Sequence, residues 1–308
     1  MTNSLISIVL CSYNGERFIK EQIDSLLHQT YPNLEIIISD DASTDGTRKI
    51  LEEYKNDKRI KLFLQAGNLG PSKNFEFALQ QAKGEYIAFS DQDDIWLPGK
   101  IEKLYSVIGD KLLAYSDSEL IREDGKPLHK YLSDLRKMYS GNETYGFIFS
   151  NVVWGHTMMI NKKLLTEVLP IPRDTPHDIW FAFKAASVSG IKFLPASLAL
   201  YRQHNETMTK TLPVKAQRRA KSQVAIDFKK KLEWMSIMKE NARTDEKYFY
   251  DRLYALYDAK KNGKFVWELF FFLLRNRKKI FMFSRKNYLS HFVEILKQSW
   301  GIDNYQGQ

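Results

Sequence analysis

The stretch LISIVLCSYNGERFIKEQIDSLLH, residues 5–28, joins a seven-residue apolar run to a polar turn and then to a segment with helical spacing. Residues 5–11 read as a strand buried on both faces, because apolar side chains follow one another without alternation. Ser12-Tyr13-Asn14-Gly15 forms the turn. Ile19, Ile23, Leu26 and Leu27 then share one face of an amphipathic helix over residues 17–28. The same unit recurs. Residues 34–39 form a second strand, with Ser43, Thr44 and Asp45 as N-cap candidates for a helix through Tyr54. Residues 60–64 form a third strand. A helix ending at Ala82, with Phe75 and Leu79 inward, leads to a strand over 86–90. Repeated strand–helix alternation predicts an α/β fold, a mostly parallel Rossmann-like sheet flanked by helices.

Periodicity thins further on. A helix over 100–108 and a strand over 112–116 precede a polar stretch around Asp124 and Ser140 that reads as irregular. Order resumes over 152–160. A helix is expected over 178–189, followed by short strands at 191–194 and 198–201.

The chain has 308 residues, enough for one large or two modest domains. Its single cysteine, Cys11, excludes an internal disulfide and any multi-thiolate metal cage. No basic segment precedes the first apolar run, which is too short for a secretory signal, so cytoplasmic residence is expected. Charge divides the chain. Residues 1–206 hold 24 Lys and Arg against 27 Asp and Glu, a net −3, whereas 207–308 hold 22 against 10, a net +12. The expected organisation is therefore a catalytic domain over 1–206 and a helical, basic region over 207–308. Such a tail suits phosphate-rich partners. No nucleic-acid reading module is visible, which points to an anionic membrane surface instead. The run FVWELFFFLL, residues 265–274, falls well short of the roughly 20 apolar residues of a spanning helix. It reads either as a helix lying on a membrane or as one packing on the catalytic domain.

Chemistry concentrates where apolar strands end. Asp91 and Asp93, in FSDQDDIW, are two apart on a loop, which lets both approach one hard divalent cation while phosphates and water complete its shell. An EF-hand register fails there, because Ile95 falls where an oxygen ligand is needed and Trp96 where glycine is needed. Asp40 and Asp41 lie at a second strand end. One acidic pair can serve metal and phosphates, and the other can accept hydrogen bonds from a base or ribose. Ser12, Tyr13 and Asn14 add small polar groups and a flat ring for a nucleoside at the same edge, and Lys73 adds a donor nearby. Neither G-x-G-x-x-G nor a Walker loop occurs, so metal must carry the phosphate charge.

In order, CSYNGE, SDDASTDGT, FSDQDDIW, HDIW and LYRQH resemble the bacterial family 2 glycosyltransferases of the GT-A fold, particularly the rhamnosyltransferase-like members that build cell-wall and capsular polysaccharides. The resemblance covers roughly residues 4–206. It implies inverting transfer of a sugar, rhamnose or another hexose, from a UDP or dTDP donor to a growing glycan or lipid-linked acceptor, assisted by Mn2+ or Mg2+. Within it Tyr13 lines the base, Asp41 accepts from the pyrimidine, and Asp91 and Asp93 are the DxD pair, Asp93 being the direct metal ligand. Asp178 is the general base, His204 a further ligand, and Trp154 and His156 line the acceptor side. An enzyme of this kind would work at the inner face of the cell membrane. The chain lacks the Q-x-x-R-W motif and spanning helices of processive members, and Asn205-Glu206-Thr207 departs from the Asn-Val ending of rhamnosyltransferase-like ones. Two other readings compete: a nucleotidyltransferase, disfavoured by the absence of a glycine-rich basic loop, and a non-catalytic membrane-associated binding protein.

Overall fold

A computed structural model describes residues 4–204 and 221–302. The boundary expected at 206/207, the run Asn205-Glu206-Thr207 and the first residues of the basic tail lie outside the described residues. The chain divides into two compact units, Met1–Asn142 with Val152–Leu212, and Glu143–Asn151 with Pro213–Gln308.

The first unit is built on one sheet. Its strands are β1 (Ile6–Ser12), β2 (Leu34–Asp40), β3 (Ile60–Leu64), β4 (Tyr86–Ser90), β5 (Ile95–Trp96), β6 (Leu113–Arg122), β7 (Pro127–Tyr131), β8 (Met158–Asn161) and β9 (Ile191–Gln203). They lie in the order β3-β2-β1-β4-β8-β6-β9-β5, with β7 on β6. The pairings β1–β2, β2–β3, β1–β4 and β6–β9 are parallel; β8 runs antiparallel between β4 and β6. Helices α1 (Ile19–Leu27), α2 (Thr47–Glu53), α3 (Pro71–Gln81), α4 (Lys100–Ile108), α5 (Leu132–Leu135), α6 (Leu165–Val168) and α7 (His177–Val188) complete it.

The two-residue period sorts the core. Ile6, Ile8 and Leu10 of β1 and Ile36 and Ile38 of β2 cluster with Ile19, Ile23 and Leu26 of α1 and Ile101, Leu104 and Ile108 of α4. Each such side chain, fully buried, contributes about 1.5–3 kcal/mol. Elsewhere in the sheet Ser39 of β2 gives its hydroxyl to Asn74 Oδ1 of α3 at 2.6 Å, while Asn74 Nδ2 donates to the Ser39 carbonyl at 2.9 Å. That pins α3 and the loop before it to the strand end.

Three features differ from the sequence reading. The strand over 112–116 runs from Leu113 to Arg122 and carries the hairpin partner β7; its polar residues Ser116, Asp117 and Ser118 are buried, with Asp117 accepting from the Ser118 and Ser133 amides, so no apolar run marks it. Residues 191–194 and 198–201 are one strand, β9, which passes Pro195 with a register shift against β6. The short β5 pairs with β9 immediately after the acidic loop.

The second unit holds α8 (Lys221–Glu240), α9 (Lys247–Asp258), α10 (Trp267–Arg275), α11 (Arg277–Ile280) and α12 (Tyr288–Ser299). Residues 143–151 join it: Thr144 donates to Glu246 at 2.7 Å, Trp234 Nε1 donates to the Phe147 carbonyl at 2.9 Å, and Phe147 packs on Phe283. No described helix is long and apolar enough to cross a membrane.

Gly84 enters β4 where β1 crosses. A Cβ there would sit 2.6 Å from the Ser7 amide and 2.8 Å from the Leu5 carbonyl, both backbone atoms that cannot step aside. Gly84→Ala should lower stability by about 1–3 kcal/mol, read from the urea midpoint. An unshifted midpoint would refute this packing.

Candidate functional site

Parallel pairing aligns the carboxyl ends of β2, β1 and β4, with Ser12 opposite Asp40 and Leu10 opposite Ser90. In such sheets that edge is where ligands bind. Asp40 is wholly buried, takes Arg48 Nε at 2.8 Å and the Ser43 amide at 2.9 Å, and anchors the turn. Ser12, set among the nucleotide-facing residues by sequence, is instead 2% exposed and gives its hydroxyl to Asp40 at 3.2 Å. Asn14, in the left-handed region at φ 50°, accepts from the Thr44 amide at 2.9 Å and laces the first turn to the second. Ala42 is also left-handed, at φ 61°, a strain of about 1–2 kcal/mol located between the two site aspartates and Ser43.

Asp41 accepts from the amides of Leu69 at 2.6 Å and Gly70 at 2.9 Å. It therefore shapes the loop before α3, and its remaining lone pairs are what it offers a ligand. Lys73, on the first turns of α3, is held by Glu76 at 2.9 Å. Tyr13 is 48% exposed, and its backbone is clamped at both ends by Gln92, whose Oε1 accepts from the Tyr13 amide at 2.8 Å while Nε2 donates to its carbonyl at 3.0 Å. The ring is left free for a flat ligand.

The acidic loop after β4 divides its three carboxylates. Asp93 turns to His204 Nε2 at 2.8 Å. Asp94 points inward, is fully buried, and takes the Arg202 amide on Oδ1 at 3.1 Å. Asp91 faces the cleft. Burial first, then the negative charges of Asp93 and Asp178, push its carboxyl up to about 7. His156, expected on the acceptor side, is 1% exposed; its Nδ1 lies 3.5 Å from Asp94 and 4.0 Å from Asp91, and its Nε2 lies 3.0 Å from the Ser118 hydroxyl. Burial, then the Lys100 charge, holds that imidazole well below its usual range, so it is neutral. Trp154 is part-buried against Leu120, Leu132 and Tyr201.

Asp178 begins α7, where its Oδ1 accepts from the Ile179 amide at 2.6 Å. His177 beside it stacks on Phe89, with ring centroids 5.6 Å apart, and its buried Nε2 has no hydrogen-bond partner among the described residues. Gly155 makes room for that ring: a Cβ would lie 2.8 Å from His177 Nε2.

Three participants escaped the sequence reading. Arg202, 2% exposed, donates to the carbonyls of Asp93 at 2.9 Å and Glu123 at 2.8 Å and to the Glu21 carboxylate at 2.6 Å. Lys100, fully buried, donates to the His156 carbonyl and lies 3.6 Å from the Trp96 ring centre. Burial holds its ammonium well below the usual range, opposed by Asp94 and Asp91. Asp94 was quoted in the motif and given no role. Burial, then Asp93 and Asp91, pushes its carboxyl well above the usual range.

The donor set suits a cation. Single ligand atoms of Asp91, Asp94 and His156 lie within 4.8 Å of one another, and Asp94 Oδ2 is buried with no hydrogen-bond partner among the described residues. Asp91 thus belongs both to this group and to the DxD pair.

Carboxylates gathered at the carboxyl edge of a mixed α/β sheet lie where such folds bind their ligands. The model of the family described as glycosyl transferase family 2 matches residues 7–169, and the chain belongs to that family. TuaG of Bacillus subtilis, named as a teichuronic acid biosynthesis glycosyltransferase, is 37% identical over 169 residues, 53% of this chain and 65% of that protein. The chain thus spans just under two thirds of that relative. WfgD of Escherichia coli, named as a UDP-Glc:alpha-D-GlcNAc-diphosphoundecaprenol beta-1,3-glucosyltransferase, is 43% identical over 108 residues, 35% of this chain and 42% of its own length. In fold, the crystal structure of TarS 1–349 of S. aureus in complex with UDP-GlcNAc covers 96% of this chain and 81% of its own, with a TM-score of 0.61 at 18% identity. The fold is the GT-A type expected from the sequence. Nothing in these matches favours a nucleotidyltransferase.

Arg202→Met would leave the Asp93 and Glu123 carbonyls without their buried donor. It should cost about 2–4 kcal/mol in urea unfolding, and a loss under about 0.5 kcal/mol, the level of an ordinary surface change, would contradict the role given to Arg202.

Proposed function

We propose that the protein moves a sugar from a nucleoside diphosphate sugar to a hydroxyl, with inversion at the anomeric carbon, the catalytic domain lying within residues 1–206. The observation that carries the reading is the gathering of Asp91, Asp93 and Asp178 in one electrostatic neighbourhood, close enough for the latter two charges to raise the Asp91 carboxyl. Tyr13 offers a face to the base, and Asp41 holds the adjoining loop and accepts from the pyrimidine. Asp91 and Asp93 are the residues that would hold Mn2+ or Mg2+, with His204 on Asp93 and Asp94 with His156 beneath. A cation bound there neutralises charge on the diphosphate leaving group.

Opposite that group, a neutral alcohol is a poor nucleophile. Asp178 supplies the remedy: a carboxylate within hydrogen-bond reach takes the hydroxyl proton as the new bond forms, an effect of about 10²–10⁴-fold. Its bond from the Ile179 amide orients it. UDP or dTDP is the nucleotide in this reading, and rhamnose or another hexose the sugar. The names of the relatives support a growing cell-surface glycan or a diphospholipid-linked sugar as acceptor. A lipid-linked acceptor places the enzyme at the inner face of the cell membrane.

Asp178→Asn should lower transfer by at least about 10²-fold while the thermal shift given by UDP with Mn2+ stays at the wild-type value. Undiminished transfer, measured by release of nucleoside diphosphate, would exclude Asp178 as the base.

A further inference from the structure

We propose that the helical unit carries a bilayer-docking face, formed by α10, α12 and the basic segment between them, that seats on an anionic lipid surface. This deepens the membrane-face reading above and rests on it. Helix α10 buries Leu269, Phe270 and Leu273, and α12 buries His291, Ile295 and Ser299. Their other sides are not the polar faces expected of a helix in water. Trp267, Phe271, Tyr288, Leu289 and Trp300 are 56–68% exposed.

These side chains form one patch. Trp300 meets Phe265 at 5.2 Å between ring centres, Phe265 meets Trp267 at 4.7 Å, and Trp267 stacks on Phe271 at 6.3 Å. Across to α12, Phe270 meets Phe292 at 5.7 Å, and Phe292 continues to Tyr288 at 6.5 Å. A contiguous exposed apolar surface of this kind marks a contact site. Its composition narrows the partner. Tryptophan and tyrosine favour the headgroup level of a bilayer, where one side of the ring is apolar and the other wet.

Charge selects the same partner. The two helices carry Glu268, paired with Arg252, and Glu294, bonded by Gln298; between them, from Leu269 to Val293, there is no Asp or Glu, whereas Arg275, Arg277, Lys278, Lys279, Arg285 and Lys286 all lie there. A concavity beside the patch is lined by Arg275, Arg277, Lys278, Lys279 and Tyr288, with the Arg277 guanidinium 4.5 Å from the Tyr288 ring centre. Cations clustered beside an amphipathic apolar face match anionic headgroups over acyl chains. Two copies of this face would repel each other, which argues against a self-interface.

The test is flotation of the full chain with vesicles of phosphatidylglycerol and phosphatidylcholine, and with phosphatidylcholine alone, at low and high salt. Wild type should float with the anionic vesicles at low salt, and at least tenfold less with the neutral ones. The variants Trp267→Ser/Phe271→Ser and Lys278→Gln/Lys279→Gln should each lower the bound fraction at least tenfold. All of them should keep the wild-type thermal shift with UDP and Mn2+, which separates the docking face from the donor site. The proposal is overturned if wild type stays unbound, or if both variants float as wild type does. It is equally overturned if wild type is a dimer that the variants dissolve without any flotation, because the face then belongs to a second copy.

Discussion

Parallel pairing of β2, β1 and β4 is the constraint on which the site depends. Parallel strands must end on the same edge, so three chain segments that are far apart in sequence deliver Ser12, Asp40 and Ser90, with the loops behind them, to one line. No local preference of those loops would assemble them. The apolar runs of the strands supply the driving force, and the loops inherit their position from it.

A layer of buried ionisable side chains lies beneath that edge. Asp94, Lys100, His156 and Arg202 are each at most 2% exposed. Unpaired, such groups would cost several kcal/mol each. The Arg202 guanidinium is satisfied by three donor contacts, to the Asp93 and Glu123 carbonyls and the Glu21 carboxylate, and its backbone amide donates to Asp94. Lys100 is held by a carbonyl and an aromatic face. The layer fixes the backbone of the acidic loop, which leaves Asp91 facing the cleft and Asp93 against His204. Position at the floor, rather than acidity alone, separates the roles of three aspartates that are adjacent in sequence.

The strands of the front half were legible because burial on both faces writes an uninterrupted apolar run. The acidic strand ends were legible for a related reason, since the carboxyl ends of parallel strands are where ligands gather; that Asp40 and Asp94 turn inward and are buried was not legible. Lys100 and Arg202 were not, because a lone cation in a sequence reads as solvated surface and its burial depends on partners supplied by the fold. His156 was placed on the acceptor side, whereas β8 and the turn before it bring it under Asp94, a consequence of antiparallel pairing that has no sequence signature. The second half of β6 escaped because Ser116, Asp117 and Ser118 are polar yet buried, their groups met by partners that the fold supplies, and β7 because it is short and largely exposed. In the second unit, the aromatic and basic composition was visible, but only the packing of α10 on α12 separates the rings that form core from those that face outward.

The central claim is that Asp91 binds a cation that the nucleoside diphosphate also contacts. Calorimetric titration of UDP, with and without Mn2+, on wild type and on Asp91→Asn measures that coupling directly. The account predicts that Mn2+ tightens UDP at least tenfold in wild type, about 1.4 kcal/mol, and leaves its affinity for the variant unchanged. Equal UDP affinity with and without Mn2+ in the wild-type protein would contradict it.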